Sequence, residues 1–257
     1  MVKVFSGGVA RALGFLRCHG APTVTRMIKT IAFDADDTLW HNETVFVATH
    51  KRLCELLSRY HDSEKVDDLL NNTERRNLER YGYGIKSFTL SAIETAIELS
   101  NSQVSADEIR QIIALSHDML DHPVEILDGV PETVSALAGD YHMIVITKGD
   151  LRDQSRKYSL SQLDPHFTEL EVVTEKDPAT YERILKRHRI DPDEFLMVGN
   201  SIKSDILPVL EIGAHAAYVP YPHTWVLDVA DREPEGPRFH ELEGIADLPN
   251  LLTRIAG

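Results

Sequence analysis

Cysteine is scarce: Cys18 and Cys54 are the two in 257 residues. Their spacing matches no metal-binding pattern, so they read as unpaired thiols of a reducing compartment, and a cytoplasmic protein is expected. Positive charge is also short. Twenty-seven Lys and Arg stand against 41 Asp and Glu, a formal net charge of −14. That balance argues against nucleic acid or an anionic membrane as a general partner. It still admits a small anionic substrate, because a bound divalent cation reverses the local field. No run is long and apolar enough to span a bilayer. Repeats and low-complexity tracts are absent as well, and no segment stands out as an interface that would set an oligomeric state. The exception to the acidic trend is residues 1–26, with Lys3, Arg11, Arg17 and Arg26 and no acid. A transit or signal peptide is one reading. The preferred one is an N-terminal extension, disordered or preceding a start at Met27, since Ile28 leads directly into the first strand.

What is present begins with Ile31-Ala32-Phe33-Asp34-Ala35-Asp36-Asp37-Thr38-Leu39. A short apolar run of strand character ends in three acids within four residues. Three adjacent carboxylates repel one another and call for a cation or a charge-changing reaction. In open α/β sheets, ligands bind where strands end. On these residues alone a solvated acidic turn fits about as well. Three further apolar runs each deliver a polar set at their C-terminal ends. Residues 141–146 end in Thr147-Lys148-Gly149-Asp150. Residues 171–173 lead to Lys176-Asp177-Pro178. Residues 195–198 end in Gly199-Asn200-Ser201-Ile202-Lys203-Ser204-Asp205.

Between the first and second runs the pattern is helical. Phe46, Leu53, Leu56, Leu57 and Tyr60 recur at helical spacing, then Val66, Leu69, Leu70 and Leu78, then Phe88, Ile93, Ala96 and Ile97. Ser105 with Glu108 makes a capping box for a fourth helix carrying Ile109, Ile112, Ile113 and Leu120. Residues 42–124 therefore read as an α-helical insert. From Leu127 strands and helices alternate to the end, which predicts an α/β fold with a parallel sheet and right-handed crossovers over 27–41 and 125–257. Residues 228–237, charged and Pro-containing, read as a surface loop.

The order DxDDTL, Thr after a strand, Lys, then a Gly-led segment with an acid near its end resembles the haloacid dehalogenase superfamily. The resemblance runs from about residue 30 to 220. It implies a Rossmann-like core with a C1-type helical cap that closes over the site, and Mg²⁺-dependent hydrolysis of a small soluble phosphomonoester. Sugar phosphates and nucleoside monophosphates are the natural classes to test. Asp34 would then be the nucleophile forming an aspartyl phosphate. Asp36 would be the general acid and then base. Thr147 and the Lys148 amide would bind the phosphoryl oxygens, and Lys176 would place positive charge beside Asp34. The implied Mg²⁺ ligands are the Asp34 side chain, the Asp36 backbone carbonyl, Asn200 and Asp205. Asn200 departs from the family's usual acid, which implies weaker Mg²⁺ binding; it also fits an ordinary turn residue. Asp37 would be a supporting acid and Trp40 a packing residue. For the leaving group, Tyr81, Tyr83 and Lys86 around two flexible glycines are the candidates, with an ordinary helix–helix turn as the alternative; His223, Thr224 and Trp225 are weaker ones. Two other readings stay open: a haloacid dehalogenase, which has no need of Asp36, and a non-catalytic metal- or phosphate-binding protein with a decayed site.

Overall fold

The computed structural model describes residues 27–256; the reading of residues 1–26 lies outside them. Six parallel strands form one sheet in the order β3-β2-β1-β4-β5-β6. They are β1 (Thr30–Phe33), β2 (His142–Lys148), β3 (Glu169–Val173), β4 (Phe195–Gly199), β5 (His215–Tyr218) and β6 (Phe239–Glu241). Alternate strand residues enter different cores. Ile31, Phe33, Met143, Val145, Leu196 and Val198 pack with α5 (Val130–Leu137) and α9 (Leu248–Ala256). Ala32, Ile144, Ile146 and Met197 pack with α7 (Pro178–His188) and α8 (Leu207–Glu211). Burial on both faces is why the central strands read as unbroken apolar runs rather than alternating ones.

The chain runs outward from β1 through β2 to β3, then returns to β4 on the other side of β1. That reversal opens a crevice beyond the carboxyl ends of β1 and β4. Register levels the strands there: Phe33 pairs with Val145 and with Val198. The residues that follow these three positions consequently reach one edge together.

Four helices leave and re-enter between β1 and α5: α1 (Glu43–Leu57), α2 (Ser63–Tyr81), α3 (Ile85–Leu99) and α4 (Ala106–Asp121). They enclose their own apolar cluster, including Leu53, Leu57, Leu70, Phe88, Ala96 and Ile112. The Ser105–Glu108 capping box is present at α4. Ile97 and Ile113, expected on the apolar pattern, stay exposed because they fall one position past the buried stripe. The two connections to the helices run side by side: His41 donates to the Glu125 carbonyl and Leu127 to that of Leu39. Trp40, buried, forms a bridge to Ile126 there. Asp37 adopts a left-handed backbone, φ 63°. Its carboxylate accepts the Asn42 and Glu43 amides at 2.8 and 3.0 Å. It thereby satisfies the start of α1, whose own N-cap side chain makes no such bond.

Candidate active site

A single cleft under the helices collects the sequence-derived residues, with about 160 Å³ of internal space. Asp34 and Asp36 reach it from the end of β1, Thr147 and Lys148 from β2, Lys176 from the turn before α7, and Asn200 and Asp205 from beyond β4. Tyr83, His223, Thr224 and Trp225 line its outer part. Tyr81 and Lys86 do not. Tyr81 is 46% exposed at the end of α2, and Lys86 pairs with Asp150 at 2.9 Å on the surface.

Lys176 is the centre of the charge arrangement. Its ammonium bonds Asp34 Oδ1, and Asp205 Oδ1 at 2.6 Å. All three are buried. Two carboxylates facing one ammonium leave one negative charge over, so the fields do not balance. Burial pushes Asp34 up to about 7, against the pull of Lys176, and the charges of Asp205 and Asp36 add to the rise. Burial lowers Lys176, but Asp205 and Asp34 more than offset it and hold it firmly charged. Asp34 Oδ2 and Asn200 Oδ1 both lie near the Thr38 hydroxyl, at 3.3 and 3.2 Å. Asp34, Asn200 and Asp205 thus offer hard oxygen donors around a site short of one positive charge. That donor chemistry fits Mg²⁺. Among the described residues no three of His, Cys, Asp and Glu form a ready cage. Mg²⁺ commonly keeps several waters and needs only one or two carboxylates.

Asp205 sits on a π-helical turn, Ile202–Ile206, that runs into α8. The Ser201 amide donates to its Oδ2 at 3.0 Å. Gly199 makes room for it: a Cβ there would meet Asp205 Oδ2 at 2.3 Å and its Cβ at 2.6 Å. Gly199→Ala is expected to drive Asp205 from Lys176. Overpacking of this kind costs about 1–3 kcal/mol, measurable by urea denaturation; wild-type stability would mean that the turn yields freely.

Asp36 is held on the side of α6 (Leu151–Leu160). Trp40 Nε1 donates to it at 2.7 Å, Lys157 Nζ at 2.5 Å and Gln154 Nε2 at 2.8 Å. Gln154 and Lys157 escaped the sequence reading. Their signal was the polar series Asp153, Gln154, Lys157 at helical spacing just after the Thr147 segment. Lys148 is engaged: its Nζ donates to Ser204 Oγ at 2.8 Å and Asp228 Oδ1 at 3.1 Å, and lies 4.3 Å from the Tyr83 ring centroid. Residues 229–237 form a mostly exposed loop, as the sequence suggested, but Asp228 at its start turns inward onto Lys148. Against its burial, Lys148 with Ser201 and Ser204 keeps it below the usual carboxylate range. No local pattern marks a loop acid that folds back on a lysine 80 positions away.

Two more acids line the cleft from the helices. Burial, with the fields of Asp37 and Glu74, pushes Glu43 to about 8. Burial pushes Glu74 to about 7, although a hydrogen bond from Trp225 works against it. Glu74 was legible in principle, since it shares the buried face of α2 with Val66, Leu70 and Asn77.

The haloacid dehalogenase-like hydrolase family model matches residues 28–213. A haloacid dehalogenase-like family hydrolase from Xanthomonas campestris superposes with a TM-score of 0.81 at 39% identity, over 91% of this chain and 94% of that one. A 2-haloacid dehalogenase from Pseudomonas syringae pv. Tomato DC3000 matches with a TM-score of 0.58 at 25% identity, over 89% and 99%. The glyceraldehyde 3-phosphate phosphatase of Pyrococcus furiosus is 26% identical over 235 residues, 88% of this chain and 92% of that protein. With a parallel-sheet core, a carboxylate crevice at the strand ends and these matches, the chain belongs to the haloacid dehalogenase-like hydrolases.

Proposed function

We propose that this hydrolase is a Mg²⁺-dependent phosphatase that cleaves a small phosphomonoester through an aspartyl phosphate on Asp34. The observation that carries the reading is Asp36: a second carboxylate, two residues from Asp34, lines the same cleft. Halide needs no proton on leaving, whereas an alkoxide does. Similarity to a glyceraldehyde 3-phosphate phosphatase points the same way.

In this scheme an Asp34 oxygen attacks phosphorus, and the P–O bond to the leaving group breaks. Asp36 gives its proton to the departing oxygen, then takes one from the water that hydrolyses the aspartyl phosphate. To do so its carboxyl gives up one of the bonds from Trp40, Lys157 and Gln154. Thr147 and the Lys148 amide donate to the phosphoryl oxygens, and Lys176 keeps positive charge beside Asp34. Mg²⁺ held by Asp34, the Asp36 carbonyl, Asn200 and Asp205 would offset the repulsion between Asp34 and the incoming phosphate. The helices exclude water from the cleft. In the amino-acid order, residues 27–41 with 125–257 form the catalytic core and 42–124 the cap.

The test is phosphate release from a broad panel of phosphomonoesters with Mg²⁺, repeated with excess chelator. Release that chelator abolishes supports the reading. A folded protein that releases phosphate from no ester in the panel, or releases halide from haloacids instead, overturns it.

A further inference from the structure

The cap side of the cleft holds two carboxyls that no cation answers. Glu43 opens α1, and Glu74 lies on the buried face of α2 at 6% exposure. Both line the cleft. Each cation nearby is already engaged with another acid. Lys176 bonds Asp34 and Asp205. Lys157 bonds Asp36, Lys148 bonds Asp228, and Lys86 bonds Asp150. Among the described residues no ion pair reaches Glu43 or Glu74. Trp225 bonds the Glu74 carboxyl, yet Glu74 Oε2 is buried with no hydrogen-bond partner. Gln154 Oε1, in a residue 3% exposed on the wall of the same cleft, is a second buried acceptor without a donor. A buried acceptor left unpaired costs free energy, so these groups mark where a ligand's donors belong.

Aromatic rings complete the surroundings. Phe46 and Phe88 meet edge to face at 5.6 Å, and Tyr83 and Trp225 do so at 6.0 Å. All four line the cleft. Uncompensated carboxyls together with aromatic faces are the chemistry that holds an ammonium group. A second anion on the leaving group, a carboxylate or another phosphate, would find no cation there, whereas an ammonium group would draw both carboxyls into the charged form that burial alone disfavours. A neutral alkyl group would leave the acceptors unpaired.

We propose, resting on the phosphatase reading, that the leaving group carries an ammonium group that docks beside Glu43 and Glu74. The substrate class is then the phosphomonoesters of small amino alcohols. Glu43 and Glu74 act as specificity-determining residues, distant from the bond that breaks.

The experiment compares kcat/KM with Mg²⁺ for phosphoethanolamine, phosphocholine, glycerol phosphate, n-propyl phosphate and phosphoglycolate. At least one amine ester is expected to exceed propyl phosphate by about tenfold or more, and phosphoglycolate by about a hundredfold or more, as for buried charge pairs made or opposed. Glu74→Gln and Glu43→Gln are each expected to cut the amine-to-propyl ratio by about tenfold. A preference for propyl phosphate, glycerol phosphate or phosphoglycolate overturns the inference, as does a ratio that neither variant moves. If Glu74→Gln fails to fold, the wild-type ratios and Glu43→Gln decide. Phosphate release without amine preference removes this inference and leaves the phosphatase reading intact. Absence of release from these and from the broad panel removes both.

Discussion

Asp34→Asn is expected to lower phosphate release by about 10⁴-fold or more, the scale seen when a nucleophile is removed from a covalent mechanism. The substitution keeps the shape of the side chain and takes away the attacking oxygen's charge. Its effect on stability runs the other way. Asp34 and Asp205 compete for one buried ammonium, and burial already drives Asp34 up to about 7. Removing one of the two carboxylates leaves Lys176 paired with Asp205 alone. The melting temperature is therefore expected to hold or rise, so that lost turnover cannot be assigned to unfolding. Rapid quenching of the wild-type enzyme with substrate would trap acid-stable label on protein, and the variant would trap none. A variant that turns over normally would exclude Asp34 as nucleophile.

Lys176→Met is expected to produce the largest loss of stability of any single substitution in the cleft. It leaves two buried carboxylates facing each other without their counter-charge. Breaking a buried pair from one side costs about 3–5 kcal/mol, which urea denaturation would register directly. The sign of the pH dependence follows from the direction of the Asp34 shift. A carboxyl whose folded-state value lies above its unfolded value is destabilising when ionised; that penalty is full above the folded value and is lost progressively as pH falls from the folded to the unfolded value. With about 7 already reached beside the lysine, the variant moves higher still. Relative to the parent, its deficit should grow as pH rises above about 7 and shrink as pH falls back towards 7, below which Asp34 is protonated in both proteins. Adding Asp205→Asn to Lys176→Met should recover part of the deficit, because one of the unpaired charges is gone. A pH-independent deficit would mean that lost packing, not charge, dominates at this position.

These two expectations draw on residues that stood out in the chain before its shape was known. Asp34, Asp36, Thr147, Lys176, Asn200 and Asp205 each lie at the end of a run of strand character or within six residues past it, and the structure gathers all six into one cleft. Parallel strands of matched register put their ends at one edge, so a residue just past a strand has its location set by local pattern alone. The helical insert was readable for a related reason: its apolar positions recur at 3.6 residues, and its Ser105–Glu108 box is complete within four residues.

The segment around the two glycines between α2 and α3 shows where that legibility ended. Tyr83 faces the cleft, Tyr81 faces solvent, and Lys86 is tied to Asp150. Three neighbours went to three surroundings because left-handed glycines at 82 and 84 redirect the chain, φ 70° and 105°, and the docking of helices on the sheet selects which side is covered. Glu43, Glu74, Gln154, Lys157 and Asp228 likewise gained their places from packing between distant elements.

By itself, the amino-acid sequence determined the α/β order, the helical insert and the acids, hydroxyl and lysine at the strand ends. Those depend on short-range periodicity and on residue chemistry that survives any context. Only the tertiary structure decided that one lysine is shared by two buried carboxylates, that Asp36 is held by α6, and that two acids on α1 and α2 line the cleft with no ion pair among the described residues. Charge balance in a buried site is a sum over everything within a few ångströms, and those neighbours are set by packing between elements distant in the chain.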